Sequence, residues 1–430
     1  MKENVLIIGF GSSGKWAYNL GLKWGYMPLI YDDEFMSVET IQDNLQNVSF
    51  AVVSPAVNRF HPLIIKLKEL AIPVISEIEF AYYFRNENSK IIGVTGTNGK
   101  TTVVRMIQSI LGKGSELAGN IGIPYSKVVG CEKENMILEL SSFQLENIRA
   151  FTPDIAVFTN FAPDHIDYHG SYENYINAKL NLIKNRNKDT IIIYNGEDNS
   201  LSEKIEECYH ANSFYFSTQK LHGFGIYCEQ GKVVVSSLKG ECVLYDLKDL
   251  GEISHHNLLN ALASSLVASL LGVNTENIVK GLKSFVPSPY RQQPVKNNLG
   301  VTIINDSKST NLMATLTALD SCKGNKYLIV GGKPKNEDYS KLFKGHDNLL
   351  RVVAFGESRF EFEKCAIKNG YKNITIVERL KDAVEVVVPL MKKGDVLLFS
   401  PACASFDQFS SYVERGKKFD EIISKYKKLG

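Results

Sequence analysis

Short apolar runs punctuate this chain, and most of them empty into a turn rich in glycine or hydroxylated residues before helical spacing begins. The first run, 4–9, leads into Gly9-Phe-Gly11-Ser12-Ser13-Gly14 and a helical stretch through Trp16 to Trp24. A second at 27–31 ends in Asp32-Asp33, and runs at 50–53 and 72–75 flank a helical segment at 61–70. The alternation restarts with runs at 91–95, 136–140, 155–159 and 190–194. It then passes through shorter, β-rich segments between 205 and 250 and an apolar helix within 254–275. Pro287, Pro289, Pro294 and Gly300 mark a linker, after which a third series has strands at 301–305, 326–330 and 395–399. Apolar strands alternating with helices predict parallel sheets covered on both faces. The expected fold class is α/β in three domains: a Rossmann-like N-terminal domain, a central P-loop ATPase-type domain and a C-terminal Rossmann-like α/β domain, over 1–89, 90–295 and 296–430.

One junction carries explicit chemistry. The run at 91–95 enters Gly96-Thr97-Asn98-Gly99-Lys100-Thr101-Thr102. The glycines let backbone N–H groups turn toward an anion, the following helix adds the positive end of its dipole, Lys100 adds a point charge and Thr101 a hydroxyl for magnesium. Val94 stands where the usual phosphate loop has its first glycine, so this is a Gly-x-x-Gly-Lys-Thr variant. An ordinary strand-to-helix turn explains the glycines but not the adjacent Lys-Thr pair. The expected ligand is a nucleoside triphosphate.

Other junctions are less specific. The Gly9 to Gly14 turn, with Asp32 about 20 residues on, has the spacing of a dinucleotide fingerprint, yet such turns also serve strand–helix packing or bind a nucleotide sugar. In the central series, polar residues collect where parallel strands end: Ser141, Ser142 and Gln144 after one, Asn160, Asp164, His165 and Asp167 after another. Glu139 is an acid inside an apolar strand, which suggests a partner such as a metal or its water. Lys179 falls within a helical stripe of Ile176, Leu180 and Ile183, where a lysine commonly snorkels to solvent. Asn257 and Asn260 share a helix face and could grip an adenine or cap the helix. In the third series Asn305-Asp306-Ser307-Lys308, Gly331-Gly332-Lys333-Pro-Lys335 and Ser400-Pro-Ala-Cys-Ala-Ser405 form one expected rim.

Length and charge narrow the partners. The 430 residues are enough for two or three domains, and 49 basic against 47 acidic side chains leave no electrostatic case for nucleic acid or an anionic membrane. Small molecules are the expected ligands. Seven cysteines without a Cys-x-x-Cys pair read as reduced thiols of a cytoplasmic protein. The start carries Glu3 and soon breaks into glycines, unlike a signal peptide, and the helix within 254–275 contains His255, His256, Asn257 and Asn260, unlike a membrane span.

Together these motifs resemble a known family. Thr95-Gly-Thr-Asn-Gly-Lys-Thr, Gly119-Asn120-Ile-Gly, Leu138-Glu-Leu-Ser-Ser-Phe-Gln, Asp164-His165, Ala178-Lys179-Leu, His256-Asn257-Leu-Leu-Asn260-Ala, Asn305-Asp-Ser-Lys and Ser400-Pro-Ala-Cys-Ala-Ser-Phe-Asp-Gln look like those of the Mur ligases. The last two, with the length, look most like the branch that adds D-glutamate to UDP-N-acetylmuramoyl-L-alanine. The resemblance implies an ATP-dependent amide-bond-forming ligase of peptidoglycan precursor synthesis, cytoplasmic and monomeric, with two Mg2+ ions. It implies UDP-substrate contacts from Gly11, Ser12, Ser13, Asp32, Asn120, Ser142, Gln144 and His165. It assigns ATP to the residues 96–102 loop with Asn257, Asn260, Arg291, Asp306 and Lys308. Thr310, Lys335, Ser405 and Tyr412 would line the amino-acid site. Metal would sit on Thr101, Glu139, His165 and a carbamylated Lys179, and catalysis would depend on Lys100, His165 and Lys179. Two positions depart from the family pattern: Tyr290 precedes Arg291 where histidine is common, and Lys333 replaces an aspartate, which leaves a second, basic amino acid such as lysine open. A folylpolyglutamate synthetase shares the phosphate loop but not the glycine-rich domain before it. An NAD-dependent dehydrogenase or a nucleotide-sugar binding protein would not need Lys100-Thr101 together with Glu139 and Asp164-His165.

Overall fold

A computed structural model describes residues 3–42, 44–208, 212–251, 253–334, 337–345 and 348–426. It contains three sheets distributed over two compact units, residues 1–286 and 287–430.

The first sheet is fully parallel, in the order β2-β1-β3-β4, from β1 (Asn4–Ile8), β2 (Met27–Tyr31), β3 (Val48–Val53) and β4 (Val74–Ser76). Helix Ser12–Lys23 starts directly after the glycine turn. A Cβ on Gly14 would lie 1.9 Å from the Gly9 carbonyl oxygen, so only glycine permits this close approach of helix to strand.

The second sheet has nine strands: β5 (Lys90–Thr95), β6 (Ser115–Gly119), β7 (Asn135–Glu139), β8 (Ile155–Phe158), β9 (Ile191–Asn195), β10 (Ser213–Phe216), β11 (Gly225–Glu229), β12 (Lys232–Ser237) and β13 (Gly240–Asp246). Their order is β13-β12-β11-β10-β9-β8-β5-β7-β6, parallel from β6 to β11 and antiparallel for the β11-β12-β13 meander. Side chains alternate between two cores. Ile91, Met136 and Leu138 join one cluster, while Ile92, Val94 and Ile137 join the other. The β-rich reading of 205–250 holds from β10 onward. Asn199–Cys208, by contrast, is helical, with Leu201 and Ile205 on its buried face. The edge strand β6 has a sequence, Ser-Glu-Leu-Ala-Gly, too weakly apolar to signal a strand.

The first two sheets belong to one unit because they share a core. Val5, Ile7 and Phe80 cluster with Leu138, Phe158 and Ile192. Two acids of the helix Glu77–Tyr82 reach across. Glu79 accepts backbone N–H groups from Arg149, Ala150 and Phe151 at 2.8–2.9 Å. Glu77 Oε1 accepts the Ser126 N–H at 2.6 Å, and its Oε2 is buried without a hydrogen-bond partner. Burial pushes the Glu77 carboxyl up to about 7 against the pull of its Ser126 bonds.

The third sheet, in the second unit, runs β14-β15-β19-β16-β17-β18, from β14 (Gln293–Pro294), β15 (Thr302–Asn305), β16 (Lys326–Gly331), β17 (Leu349–Phe355), β18 (Ile374–Ile376) and β19 (Val396–Phe399). Only β14 is antiparallel. Along β16, Tyr327 and Ile329 face one apolar cluster, Leu328 and Val330 the other. The three strands expected to form a polar rim, β15, β19 and β16, are neighbours, so their loops emerge at one edge.

Candidate active site

The phosphate loop is built by its glycines. Gly96 (φ +142°) and Gly99 (φ +86°) adopt backbone angles that side chains disfavour. A Cβ on Gly96 would lie 2.0 Å from Thr159 Oγ1, and one on Gly99 would lie 2.7 Å from Asn260 Oδ1. Gly99 caps helix Lys100–Leu111, whose first-turn amides face the loop. The loop is anchored to the end of β8: Thr159 Oγ1 donates to Asn98 O at 2.6 Å, and Asn98 N donates to Asn160 Oδ1 at 3.0 Å. Thr97 Oγ1 donates to Ala162 O at 3.1 Å and pairs with Tyr175 OH at 3.0 Å.

Two cations converge on this loop. Lys100 Nζ donates to the Gly96 and Thr97 carbonyls, both at 2.8 Å. Lys179 Nζ donates to the same Gly96 carbonyl at 2.7 Å and stands 4.5 Å from the Tyr175 ring centroid. Lys179 is only 2% exposed, so it does not snorkel: helix Tyr172–Leu180 turns it inward beneath the loop. Burial first, then Lys100, drives its pKa well below the ordinary lysine value, while Asp164 and Glu139 pull the other way.

Glu139 ends β7 opposite Val94 of β5 and is 3% exposed. Its Oε1 accepts from Asn120 Nδ2 at 3.0 Å, and its Oε2 is buried with no hydrogen-bond partner. An acid kept dry with one oxygen to spare suits a cation supplied with the substrate. Thr101 lies half-buried on the first helical turn of the loop. His165 adopts φ +53°, packs edge-on to Phe143 with centroids 4.9 Å apart, and lies 3.7 Å from Asp164. Among the described residues no three His, Cys, Asp or Glu side chains gather as a ready-made metal cage.

Several other expected substrate residues have local bonds. Gly11 caps the first helix, which Ser12 and Ser13 open. Asp32 accepts the Phe10 N–H at 2.6 Å across the glycine turn. Gln144 Oε1 takes both N–H and Oγ–H of Ser141, and Ser142 Oγ meets His169 Nε2 at 3.0 Å. Asn257 and Asn260 lie on helix His255–Leu270, with Asn260 against the phosphate loop.

In the second unit Asp306 is buried at the end of β15. It accepts Ser309 Oγ at 2.6 Å, Ser400 Oγ at 2.8 Å and Gln292 N–H at 3.0 Å. Burial raises its pKa, opposed by these bonds and by Arg291. Lys308 Nζ donates to Ser288 Oγ at 3.2 Å and sits 5.7 Å above the Tyr412 ring. Ser405 is buried and Thr310 half-buried; Lys335 lies outside the described residues. Lys333 is exposed, and its backbone bridges to Ala404. Sequence patterns gave no sign of Arg415, which is fully buried. It donates to Ser307 Oγ, Ser307 O and Cys403 O at 2.8–3.1 Å, tying two rim loops together.

Comparison with known proteins gives this geometry a family. Residues 94–268 match the Mur ligase middle domain and 290–403 the Mur ligase glutamate ligase domain. The UDP-N-acetylmuramoylalanine--D-glutamate ligase of Christiangramia forsetii is 34% identical, over 98% of this chain and 99% of that protein. The chain belongs to the Mur ligase family. It is accordingly an ATP-dependent, amide-bond-forming ligase. The ligase of the same name from Streptococcus mutans is 35% identical over 99% of this chain and 97% of its own length. Mur ligases also share its fold at low identity. MurF from Acinetobacter baumannii has a TM-score of 0.63 at 17% identity, over 92% of this chain and 91% of that one. The Thermotoga maritima MurF ligase solved with ADP has 0.58 at 18%, over 99% and 96%.

Proposed function

We propose that this Mur ligase joins D-glutamate to UDP-N-acetylmuramoyl-L-alanine with hydrolysis of ATP to ADP and phosphate, in peptidoglycan precursor synthesis. What carries the reading is identity of 33–36% over most of the chain to several ligases named for that reaction. The buried phosphate loop with its two lysines supports the chemistry.

A carboxylate is a poor acyl donor because its departing oxygen is too basic. The substrate carboxylate therefore attacks the γ-phosphorus, releasing ADP and leaving an acyl phosphate. The amine of D-glutamate then adds to the acyl carbon, loses a proton, and expels phosphate as the amide forms. Lys100, held on the loop carbonyls here, would turn from them to the β- and γ-phosphates, and the loop amides and helix dipole would stabilise charge on the equatorial oxygens. Two Mg2+ ions, one on Thr101 and Glu139 and one on His165 with carbamylated Lys179, would neutralise phosphate charge as Lewis acids. The orphaned Glu139 Oε2 and the depressed Lys179 pKa fit that role, since only an uncharged ε-amine adds carbon dioxide. We assign the first sheet, through Gly11, Ser12, Ser13 and Asp32 with Asn120, Ser142, Gln144 and His165, to the UDP-linked substrate. Asn257, Asn260, Arg291, Asp306 and Lys308 would bind the rest of ATP, and Thr310, Lys335, Ser405 and Tyr412 the amino acid. In domain terms, 1–89 would bind the UDP-linked substrate, 90–295 ATP and 296–430 the amino acid.

Among the described residues no helix is long and apolar enough to cross a membrane. The proposed enzyme is cytoplasmic and monomeric and works on small molecules. Incubation with ATP, UDP-N-acetylmuramoyl-L-alanine and single amino acids, with phosphate release as readout, tests the reading. Release stimulated by D-glutamate is expected, and its absence refutes the assignment.

A further inference from the structure

Helix His255–Leu270 carries Asn257 and sets Asn260 against Gly99 of the phosphate loop, yet its first turn lacks two of the usual N-terminal supports. Ser254, at the N-cap, makes no side-chain capping bond, and the first turn contains no acid. The missing negative charge arrives from another loop. Glu197, two residues beyond the end of β9, places Oε2 3.0 Å from His255 Nε2.

The other oxygen of Glu197 is equally committed. Oε1 accepts the Thr218 N–H and Oγ–H, both at 2.6 Å, and Ser217 Oγ at 3.2 Å, all just past the end of β10. The Glu197 N–H donates to Asn195 Oδ1 at 3.0 Å, and Asn195 Nδ2 donates to Thr159 O at 3.1 Å. Thr159 in turn holds the phosphate loop through Asn98. A continuous hydrogen-bonded path thus runs from the phosphate loop, across the ends of β8, β9 and β10, to the first turn of the asparagine-bearing helix.

We infer that Glu197 is a positioning residue for ATP: through His255 it fixes the helix start that aims Asn257 and Asn260 at the nucleoside, in register with the loop that holds the phosphates. The inference rests on the assignment of those asparagines to ATP. Neither Glu197 nor His255 touches the reacting atoms, so their loss alters nucleotide affinity rather than the chemical step.

His255, whose side chain is 56% exposed, is the first variant because removing it leaves no buried group stranded. His255→Ala is expected to raise KM for ATP about fivefold, the upper effect of losing one partly exposed ion-pair contact, with kcat and both other KM values within about twofold. Glu197→Gln, whose amide can still accept from Thr218 and donate to a neutral His255, should fall between wild type and His255→Ala. Adding Glu197→Gln to His255→Ala should change KM little further, because both act through one bond. Asn257→Ala measured alongside separates the two levels. If it raises KM for ATP while His255→Ala does not, the positioning role is overturned and the ATP assignment stands; if neither variant moves KM for ATP, both fall. A loss of kcat with unchanged KM in His255→Ala would also overturn the inference.

Discussion

Lys100 and Lys179 place their ammonium nitrogens on one acceptor, the Gly96 carbonyl, at 2.8 and 2.7 Å. Two like charges brought that close, one of them fully buried, repel. The arrangement is relieved when Lys100 swings to a phosphate, or when Lys179 loses its charge. The loop thus favours the arrival of a polyanion and the neutralisation of its deeper lysine.

Lys100→Ala should abolish ligation and leave the fold intact, because glycine geometry holds the loop. A fall in kcat/KM of about 10³ or more is expected for loss of a charge aimed at the transferred phosphoryl group. Turnover within tenfold of wild type, with unchanged circular dichroism, would remove the phosphate-loop assignment.

Lys179 is expected to carry a carbamate. Mass spectrometry of gently handled intact protein should find one carbon dioxide added, and Lys179→Ala should lose most activity but regain part of it with small carboxylates. Full activity in the alanine variant contradicts a metal-binding role.

Glu77 predicts a pH-dependent junction between the first two sheets. Its folded carboxyl titrates near 7 against an ordinary 4.5, so its contribution is fully present below 4.5 and is lost as pH rises through 7. Glu77→Gln, which keeps an acceptor for the Ser126 N–H, should remove a loss on the order of 3 kcal/mol between pH 5 and pH 8. Urea unfolding at both pH values measures it; parallel pH profiles for wild type and variant would refute the assignment.

The amino-acid pocket yields the sharpest substrate test. The side-chain carboxylate of D-glutamate would meet Lys335, Ser405 and Thr310, with charge-assisted bonds worth roughly 1.5–3 kcal/mol each. Glu337 does turn toward this region: its Oε2 accepts the Leu312 N–H at 3.0 Å, two residues beyond Thr310. That inward acid keeps a basic side chain in contention. Turnover with D-glutamate is expected to exceed that with either enantiomer of lysine in kcat/KM. No turnover with D-glutamate refutes the main reading, and none with either lysine removes the second.

Local rules made the phosphate loop legible, since positive φ at Gly96 and Gly99 and the placement of Lys100 are dictated within a few residues. Strands such as β2, whose apolar run is bounded by turn residues, were legible for the same reason. Lys179 was only half legible. Its helical stripe marked it as unusual, but its burial depends on meeting a carbonyl 83 residues earlier in the chain, which no local pattern encodes. Arg415 was invisible because a charged residue on an amphipathic helix reads as surface until the loops it binds are known. Strand β6 escaped notice because an edge position asks little hydrophobicity of its sequence.

The clasp between Glu79 and the amides of Arg149, Ala150 and Phe151 bears on how such an enzyme could be recombined. A chimera made by exchanging the first 89 residues with another ligase would inherit its new glycine turn intact. Without an acid at the place of Glu79, however, it would strand three consecutive amides in the neighbouring segment. The first 89 residues are therefore not a detachable cassette. They are grafted with their clasp or not at all.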